Sequence, residues 1–423
     1  GIGVSMSSVV LSTHDGSLLA HNNYGLYYRD PNPLGLGPWT MRFQFDKLSY
    51  DPSNDYDSHG RWRWKTGAQW TRVSSSPNVW DYTRIPDSGG SWYQEFYARL
   101  GGTSKTGNVH VLGANLAEAK SLHSLFRSCD ALVDVAYFET INVTNMQAMF
   151  YGCGGISTVP RFHTSNVTNM SGMFYECNRL VDVPVFNTSK VTDMSLLFSE
   201  CDSLENIPLL DTSSVTNMEG MFWQNRAIKT VPLFDTSHVT TMESMFNGCD
   251  HLEEVPLFNT RVVTNMHAMF LYCDSIEEVP LFDTHNVTTM EDMFEGCPLL
   301  TTVPFFDTRN VLNMTMMFRR CTSLESVPLF NTAKLTNMRY MFEGCTAFKE
   351  VPLFDTTNVT DMTCSFYNTV NVEHGSYDLY YQARNQTKRP TSFSGCFYNC
   401  GINTPTGAAD LARISSPWKS DIT

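Results

Sequence analysis

Between residues 120 and 366 the chain repeats one schedule of apolar and polar positions. Phe stands at 126, 150, 174, 198, 222, 246, 270, 294, 318, 342 and 366, and every interval is 24 residues. The unit reads V-T-N-M-x-x-M-F-x-x-C-x-x-L-x-x-V-P-L-F-D-T-x-x, with mostly polar or small residues at x. Eleven units at constant spacing are the signature of a solenoid. One unit cannot bury its own apolar positions, whereas stacked units bury a continuous core.

Two elements are predicted in each unit. Met266, Met269, Phe270 and Cys273 fall at i, i+3, i+4 and i+7, the spacing of one helix face. Thr264 stands where a hydroxyl caps a free backbone N–H. This helix is short, about two turns, and partly 3₁₀. Ile276 and "VPLF" (279–282) then read as a short extended segment, kept brief because Pro280 has no N–H to donate. "DT" (283–284) turns the chain, its side chains bonding to turn backbone. The expected coil is a short helix plus a short parallel strand. With strands about 4.8 Å apart, eleven coils give a rod on the order of 50 Å long.

The structural core of the repeat is assigned to Phe150, Phe174, Phe198, Phe222, Phe246, Phe270, Phe294, Phe318 and Phe342, together with Cys153, Cys177, Cys201, Cys249, Cys273, Cys297, Cys321 and Cys345. Met fills irregular gaps in such a core, and Cys behaves as a small buried apolar group.

The flanks depart from the period. Residues 1–105 hold six of the eight Trp (39, 62, 64, 70, 80 and 92), and "WTMRFQF" (39–45) and "RWRWK" (61–65) alternate as strands do. This stretch is read as a small β-rich domain that mounts or caps the array. Residues 106–366 form the solenoid. Residues 367–423 form a C-terminal cap in which Phe397 follows Phe366 by 31 residues, one period plus seven, with helices expected at 377–384 and 407–413.

The formal net charge is −14, and residues 1–100 are balanced, with nine acidic and nine basic side chains. The solenoid and cap therefore carry the whole excess, which excludes nucleic acid and anionic membrane surfaces as favoured partners. No stretch approaches eighteen apolar residues. The first fifteen residues have no basic start and no apolar run, so no export signal is read there; the chain begins at Gly1, so a trimmed start is also allowed.

The phrase "VTNMxxMFxxCxxLxxVPLFDTxxVTNM" resembles the BspA-like branch of leucine-rich repeats, over residues 105–400. The resemblance implies a leucine-rich-repeat-like solenoid and a role in adhesion, since such repeats occur in surface proteins of oral and gut bacteria, mycoplasmas and some parasites, and in predicted virion proteins of gut bacteriophages. The flanking "SSSPNVWDYT" (74–83), "HVLGANL" (110–116) and "GCFYNCGINTPTGAADLARI" (395–414) are similar to segments beside such repeats in gut phage and bacterial proteins. The period departs from the family, where many repeats are about two residues longer.

Candidate chemistry is sparse. Nine Cys recur at period, with Asn225 in the slot between Cys201 and Cys249. Neighbouring Cys on stacked coils would lie within disulfide range, but parallel inward side chains suit packing, so free buried thiols are expected, which fits folding in a reducing compartment. No Cys-x-x-Cys pair, HExxH, G-x-S-x-G or phosphate loop is present. Cys396 and Cys400, with Cys364 or His374 nearby, make a candidate zinc set, and the acidic positions before "VP" a candidate Ca²⁺ column. The preferred reading calls for no metal and no cofactor, and for no enzyme. Eight Asn-x-Ser/Thr matches arise mostly from the repeated "NVT" and are read as turns and caps. Trp223, and the acidic pairs Glu253–Glu254 and Glu277–Glu278, are candidate contact residues; Trp223 is equally open to a packing role.

These features lead to a non-enzymatic binding solenoid displayed on a surface. A virion surface is favoured, as a fibre, tail or capsid decoration, with other virion proteins held through the N-terminal domain and a host protein or glycan through the solenoid. A secreted or cell-surface bacterial adhesin and a glycan-binding protein acting through the Trp-rich domain are the alternatives.

Overall fold

The structure, a computed structural model of the 423-residue chain, describes residues 11–12, 18–22, 25–29, 32, 34–46, 68–73, 78–85, 96 and 107–421. Residues 107–400 wind into a solenoid whose coils stack in register. Across the stack the periodic Phe rings lie parallel, with centroids 5.2–6.0 Å apart from Phe126 to Phe366.

That spacing corrects the helix expectation. Among the described residues no helix occurs within the repeats. An α-helix with its side chains is about 10–12 Å wide, twice the room one coil has. The M-x-x-M-F-x-x-C segment instead forms linked β-turns. In one coil Met149 N–H donates to Met146 C=O and Cys153 N–H to Phe150 C=O. The third residue of each turn, Ala148 and Gly152, has positive φ (52° and 69°), as a type II turn requires. Between these bonds the N–H groups of Met146, Ala148, Phe150 and Gly152 donate to carbonyls of the next coil, at Asn169, Ser171, Met173 and Tyr175. A helix would turn every N–H along its own axis. The turn ribbon gives half of them to the neighbour, which is why it wins. Thr264 is likewise not a helix cap: its N–H and hydroxyl both donate to Thr240 C=O of the preceding coil.

The strand expectation is corrected too. "VPLF" carries no strand. Pro removes the donor a ladder needs there, and in five coils the Phe N–H folds back onto the Pro C=O two residues earlier, as Phe258 does on Pro256. Parallel pairing sits instead at the third letter of V-T-N, one residue per coil, from Ser121↔Asn145 through Asn265↔Thr289 to Asp361↔Ser392.

Two columns of side chains supply hydrogen bonds inside the core. Cys153 Sγ donates to Phe126 C=O (3.0 Å), and the same bond recurs from each later periodic Cys to the Phe 27 residues before it, while Cys129 donates to Phe96 C=O. Asn225 keeps the arrangement with its amide, 3.4 Å from Phe198 C=O. The Thr of "DT" is buried in every coil, and from Thr140 to Thr308 it donates to a carbonyl of the next: Thr260 Oγ1 lies 2.8 Å from Asp283 O. The polar groups of these two columns are thus satisfied mainly between coils rather than within them. All twelve Cys are free and buried.

The ends close the stack. Five strands form one sheet in the order β5-β6-β4-β7-β8: β4 Thr40–Phe45, β5 Gln69–Arg72, β6 Val79–Thr83, β7 Val109–Asn115 and β8 Leu132–Val135. β8 belongs to the first coil and pairs parallel with β7, so the N-terminal sheet runs directly into the solenoid. A separate antiparallel sheet joins β1 Leu11–Ser12, β2 Leu18–Asn22 and β3 Gly25–Arg29. Alternation on β4 points Met41, Phe43 and Phe45 inward and Arg42 outward to a bidentate pair with Asp81. Phe96 stacks 5.5 Å from Phe126 and extends the ring column into this domain. Trp39, Trp70 and Trp80 are buried; Trp62, Trp64 and Trp92, and the "RWRWK" segment, lie outside the described residues. At the other end α1 Ser376–Asn385 replaces the "VPLF" segment, and α2 Pro405–Arg413 and α3 Ser416–Lys419 follow. Phe397 stacks 5.6 Å from Phe366 despite the longer step, and Trp418 closes the column against Phe393 (4.3 Å) and Phe397.

Three measurements check this arrangement. Phe246→Ala, mid-column, lowers stability in chemical denaturation by about 3–5 kcal/mol through the cavity it leaves. Ala268→Gly is neutral or stabilising by up to about 1 kcal/mol, because Ala268 holds φ 53°; in a helix the same change would cost about 1 kcal/mol. A thiol reagent at pH 8 leaves the native protein unlabelled and labels twelve Cys once it is denatured.

Candidate interaction surface

Most fixed letters of the repeat are spent on the core and on coil-to-coil bonds, the exposed Leu of "VPLF" excepted. Of the ten letters that differ between coils, four fall on the turn ribbon, in the two pairs that flank each Met-Phe. Across the stack these four positions make one continuous face whose chemistry changes along its length. On the opposite side of the core the "VPLF" segments repeat almost unchanged.

Near its N-terminal end the face is aromatic and acidic. Tyr151 and Tyr175 stack at 4.4 Å, and the Arg127 guanidinium sits 4.2 Å above Tyr151. Trp223, two coils beyond Tyr175, reaches back to it (6.2 Å) across the small, buried Ser199. Its ring is half-buried, so it both packs within the face and remains open to a partner. Tyr175 donates to Glu200 (2.7 Å). Burial, then the nearby Glu200 and Asp130 carboxylates, push the Glu176 pKa up. Carboxylates crowded in this way favour an arriving cation.

Toward the middle the face becomes ionic. His267 lies between Asp292 (3.4 Å) and Glu243 (3.3 Å). The Asp292 hydrogen bond leads, with Glu243 adding to it, and against partial burial they push His267 up to about 9. Two coils further on, Arg319 bridges Glu295 (2.9 Å) and Glu343. Burial leads in raising Glu295, partly offset by Arg319. Arg339 lies over Tyr340.

The remaining sequence candidates lie elsewhere. Glu253, Glu254, Glu277 and Glu278 are exposed beside "VP", away from Trp223; Lys229 pairs with Glu253 at 3.2 Å. The nine core Phe and eight core Cys are buried. Burial pushes the Cys297 thiol up to about 12 and Cys153, Cys201, Cys273 and Cys321 well above their usual range, so they are poor nucleophiles. Cys364, Cys396 and Cys400 are buried near the C-terminal cap, whereas His374 is exposed beside Glu350 (3.7 Å). Among the described residues no three His, Cys, Asp or Glu side chains are grouped to hold a metal ion. Asn142, Asn166, Asn286 and Asn358 donate to the preceding coil's backbone.

Sequence reasoning missed the left-handed columns that shape this face. A signal was present: Gly recurs two residues before Phe at 172 and 220, and two after it at 152, 248, 296 and 344, all with positive φ.

A family profile covers most of this array, at residues 120–233, 224–301 and 275–380. The chain belongs to the family described as Mycoplasma protein of unknown function, DUF285. The match spans the DUF285 coils and stops short of both ends. Among solved structures the chain is similar to a leucine-rich repeat protein from Eubacterium ventriosum ATCC 27560, at 14% identity and a TM-score of 0.32, covering 70% of this chain and 91% of that one. It is also similar to the chain in a TLR13–ssRNA13 complex, at 12% identity and a TM-score of 0.26, covering 62% of this chain and 38% of that one. No curated protein matches the DUF285 chain.

The His267 cluster has a definite pH signature. A pKa raised in the folded state contributes stability that is fully present below about 6.5 and is lost as pH rises through about 9. NMR titration of His267 gives a midpoint well above 6.5, and Asp292→Asn moves it down.

Proposed function

We propose that this protein is a non-enzymatic binding solenoid, displayed on a surface, whose turn-ribbon face recognises a macromolecular partner. The observation that carries the reading is the division of labour within the coil. Most positions that repeat are buried or bond one coil to the next. Four of the positions that vary stand together on one face and mix half-buried aromatic, carboxylate and guanidinium groups. Such mixtures characterise interfaces that bind through a few anchored side chains. The anchors we assign are Tyr175 and Trp223, with Glu176 and Glu200 favouring a cationic group on the partner. A net charge of −14 disfavours nucleic acid. Among the described residues no helix is long and apolar enough to cross a membrane.

The finer reading is display on a virion, as a fibre, tail or capsid decoration, with the N-terminal sheet as the mount. It is supported by the thiol column. Each periodic Cys serves as a hydrogen-bond donor in its reduced form, which suits folding in a reducing cytoplasm before exposure. A bacterial cell-surface or secreted adhesin shares the same binding chemistry. The glycan alternative is narrowed, since Trp39, Trp70 and Trp80 are buried rather than presented to sugar rings.

The test applies purified protein to panels of bacterial cells and to protein and glycan arrays. Retention on a restricted set, lost at least tenfold in Tyr175→Ala/Trp223→Ala with unfolding unchanged, is the expected result. Equal retention by the double variant contradicts the assignment of the face. Immunogold labelling with an antibody to the chain separates the sites of display: label on particles supports the virion, and label on cell envelopes alone overturns it.

A further inference from the structure

On the side of the core opposite the variable face, the residue after each "VP" points outward. From Val185 to Leu353 this position is Val, Leu or Phe in eight consecutive coils, and each side chain is 51–63% exposed. Single exposed apolar residues are ordinary. A column of them, one per coil, is a continuous apolar stripe of a kind that marks an interaction site.

The borders of the stripe are acidic. On one side lie exposed carboxylates such as Glu205, Glu254 and Glu278, with Lys229 and Lys349 among them paired to Glu253 and Glu325, and on the other Asp211, Asp235 and Asp283. These borders set the charge of the occupant. A second copy of the chain would bring carboxylate against carboxylate, with −14 on each partner. The backbone sets its conformation. An added strand needs an edge of free N–H groups, yet Pro supplies none and, in coils such as those of Phe258 and Phe282, the Phe N–H is used on the Pro carbonyl. A helix satisfies its own backbone and needs only side-chain contact. Its pitch of about 5.4 Å is close to the coil step, 5.2–6.0 Å along the ring column and 6.4 Å between the Phe330 and Phe354 rings beside the stripe, so a helix laid along the rod stays near register with the coils over a few turns.

We propose that the stripe docks a basic amphipathic helix of another protein, laid along the rod with its apolar face on Leu209 to Leu353 and its Lys or Arg over the flanking carboxylates. This interface is separate from the variable face. Its chemistry is uniform, as suits attachment rather than discrimination.

The probe is a synthetic 28-residue amphipathic helix with Leu on one face and Lys on the other, titrated into the full chain by fluorescence anisotropy. Two controls accompany it: the same helix with Glu for Lys, and an alternating Val-Lys peptide that cannot form an apolar helix face. Saturable binding of the Leu-Lys helix is expected, weakened at least tenfold by Leu257→Ser/Leu281→Ser and unaffected by Trp223→Ala. These Leu are exposed, so the double variant keeps its unfolding transition. Equal binding to the double variant would show charge attraction alone and overturn the proposal. So would equal binding of the Glu helix, tighter binding of the Val-Lys peptide, or self-association of the chain through the stripe by sedimentation. Because Trp223→Ala leaves this readout unchanged, failure here is distinguishable from failure of the variable-face reading.

Discussion

The vertical distance between coils governs this molecule. Peptide chains that bond to one another sit about 5 Å apart, and every other feature adapts to that gap. It leaves no room for a helix in the repeat. It forces alternate N–H groups out of the coil and toward the neighbour, which left-handed residues such as Ala268 and Asp292 make possible. It also brings like rings into parallel stacks and like thiols beneath the carbonyls of the coil before. The sulfur-rich phrase is repeated because each copy performs the same closure.

Much of this was legible in the residues. The constant interval between Phe residues implies register, and register implies a solenoid with Phe, Met and Cys inside. The path of the chain within one coil was not legible. Met266, Met269, Phe270 and Cys273 have the spacing of a helix face, and two linked type II turns place those same positions inward. Periodicity alone cannot separate the two; the coil step does, and no single coil encodes it. The recurrent Gly at 152, 248, 296 and 344 was the available clue. Pro280 hinted that "VPLF" makes a poor strand, and the pairing moved to Asn265, whose backbone is free. Phe96 joined the column without belonging to the period, so only the three-dimensional stack revealed it.

The candidate surface was partly legible. Trp223 stood out as an exception to the repeat, and the structure places it in a face with Tyr175 that the spacing could not assemble, because the two are separated by two coils and joined only across Ser199. The acidic pairs at 253–254 and 277–278 are exposed, but they border an apolar stripe on the other side of the rod. A uniform frame thus carries two unlike surfaces, one that varies from coil to coil and one that does not. Variation can accumulate on the first because the coil-to-coil bonds there run through the backbone and ask little of the side chains.

The most direct test of in-register stacking is to remove chain in whole and in half periods. Deleting residues 239–262, one complete period, rejoins the repeat in phase. The account predicts that this variant unfolds cooperatively by circular dichroism with a midpoint within a few degrees of the parent, since each Phe regains a neighbour above and below. Deleting only residues 239–250 puts every later coil out of phase and abolishes the cooperative transition. Two deletions of equal effect, or a full-period deletion that fails to fold, would contradict the claim that register between coils holds the protein together.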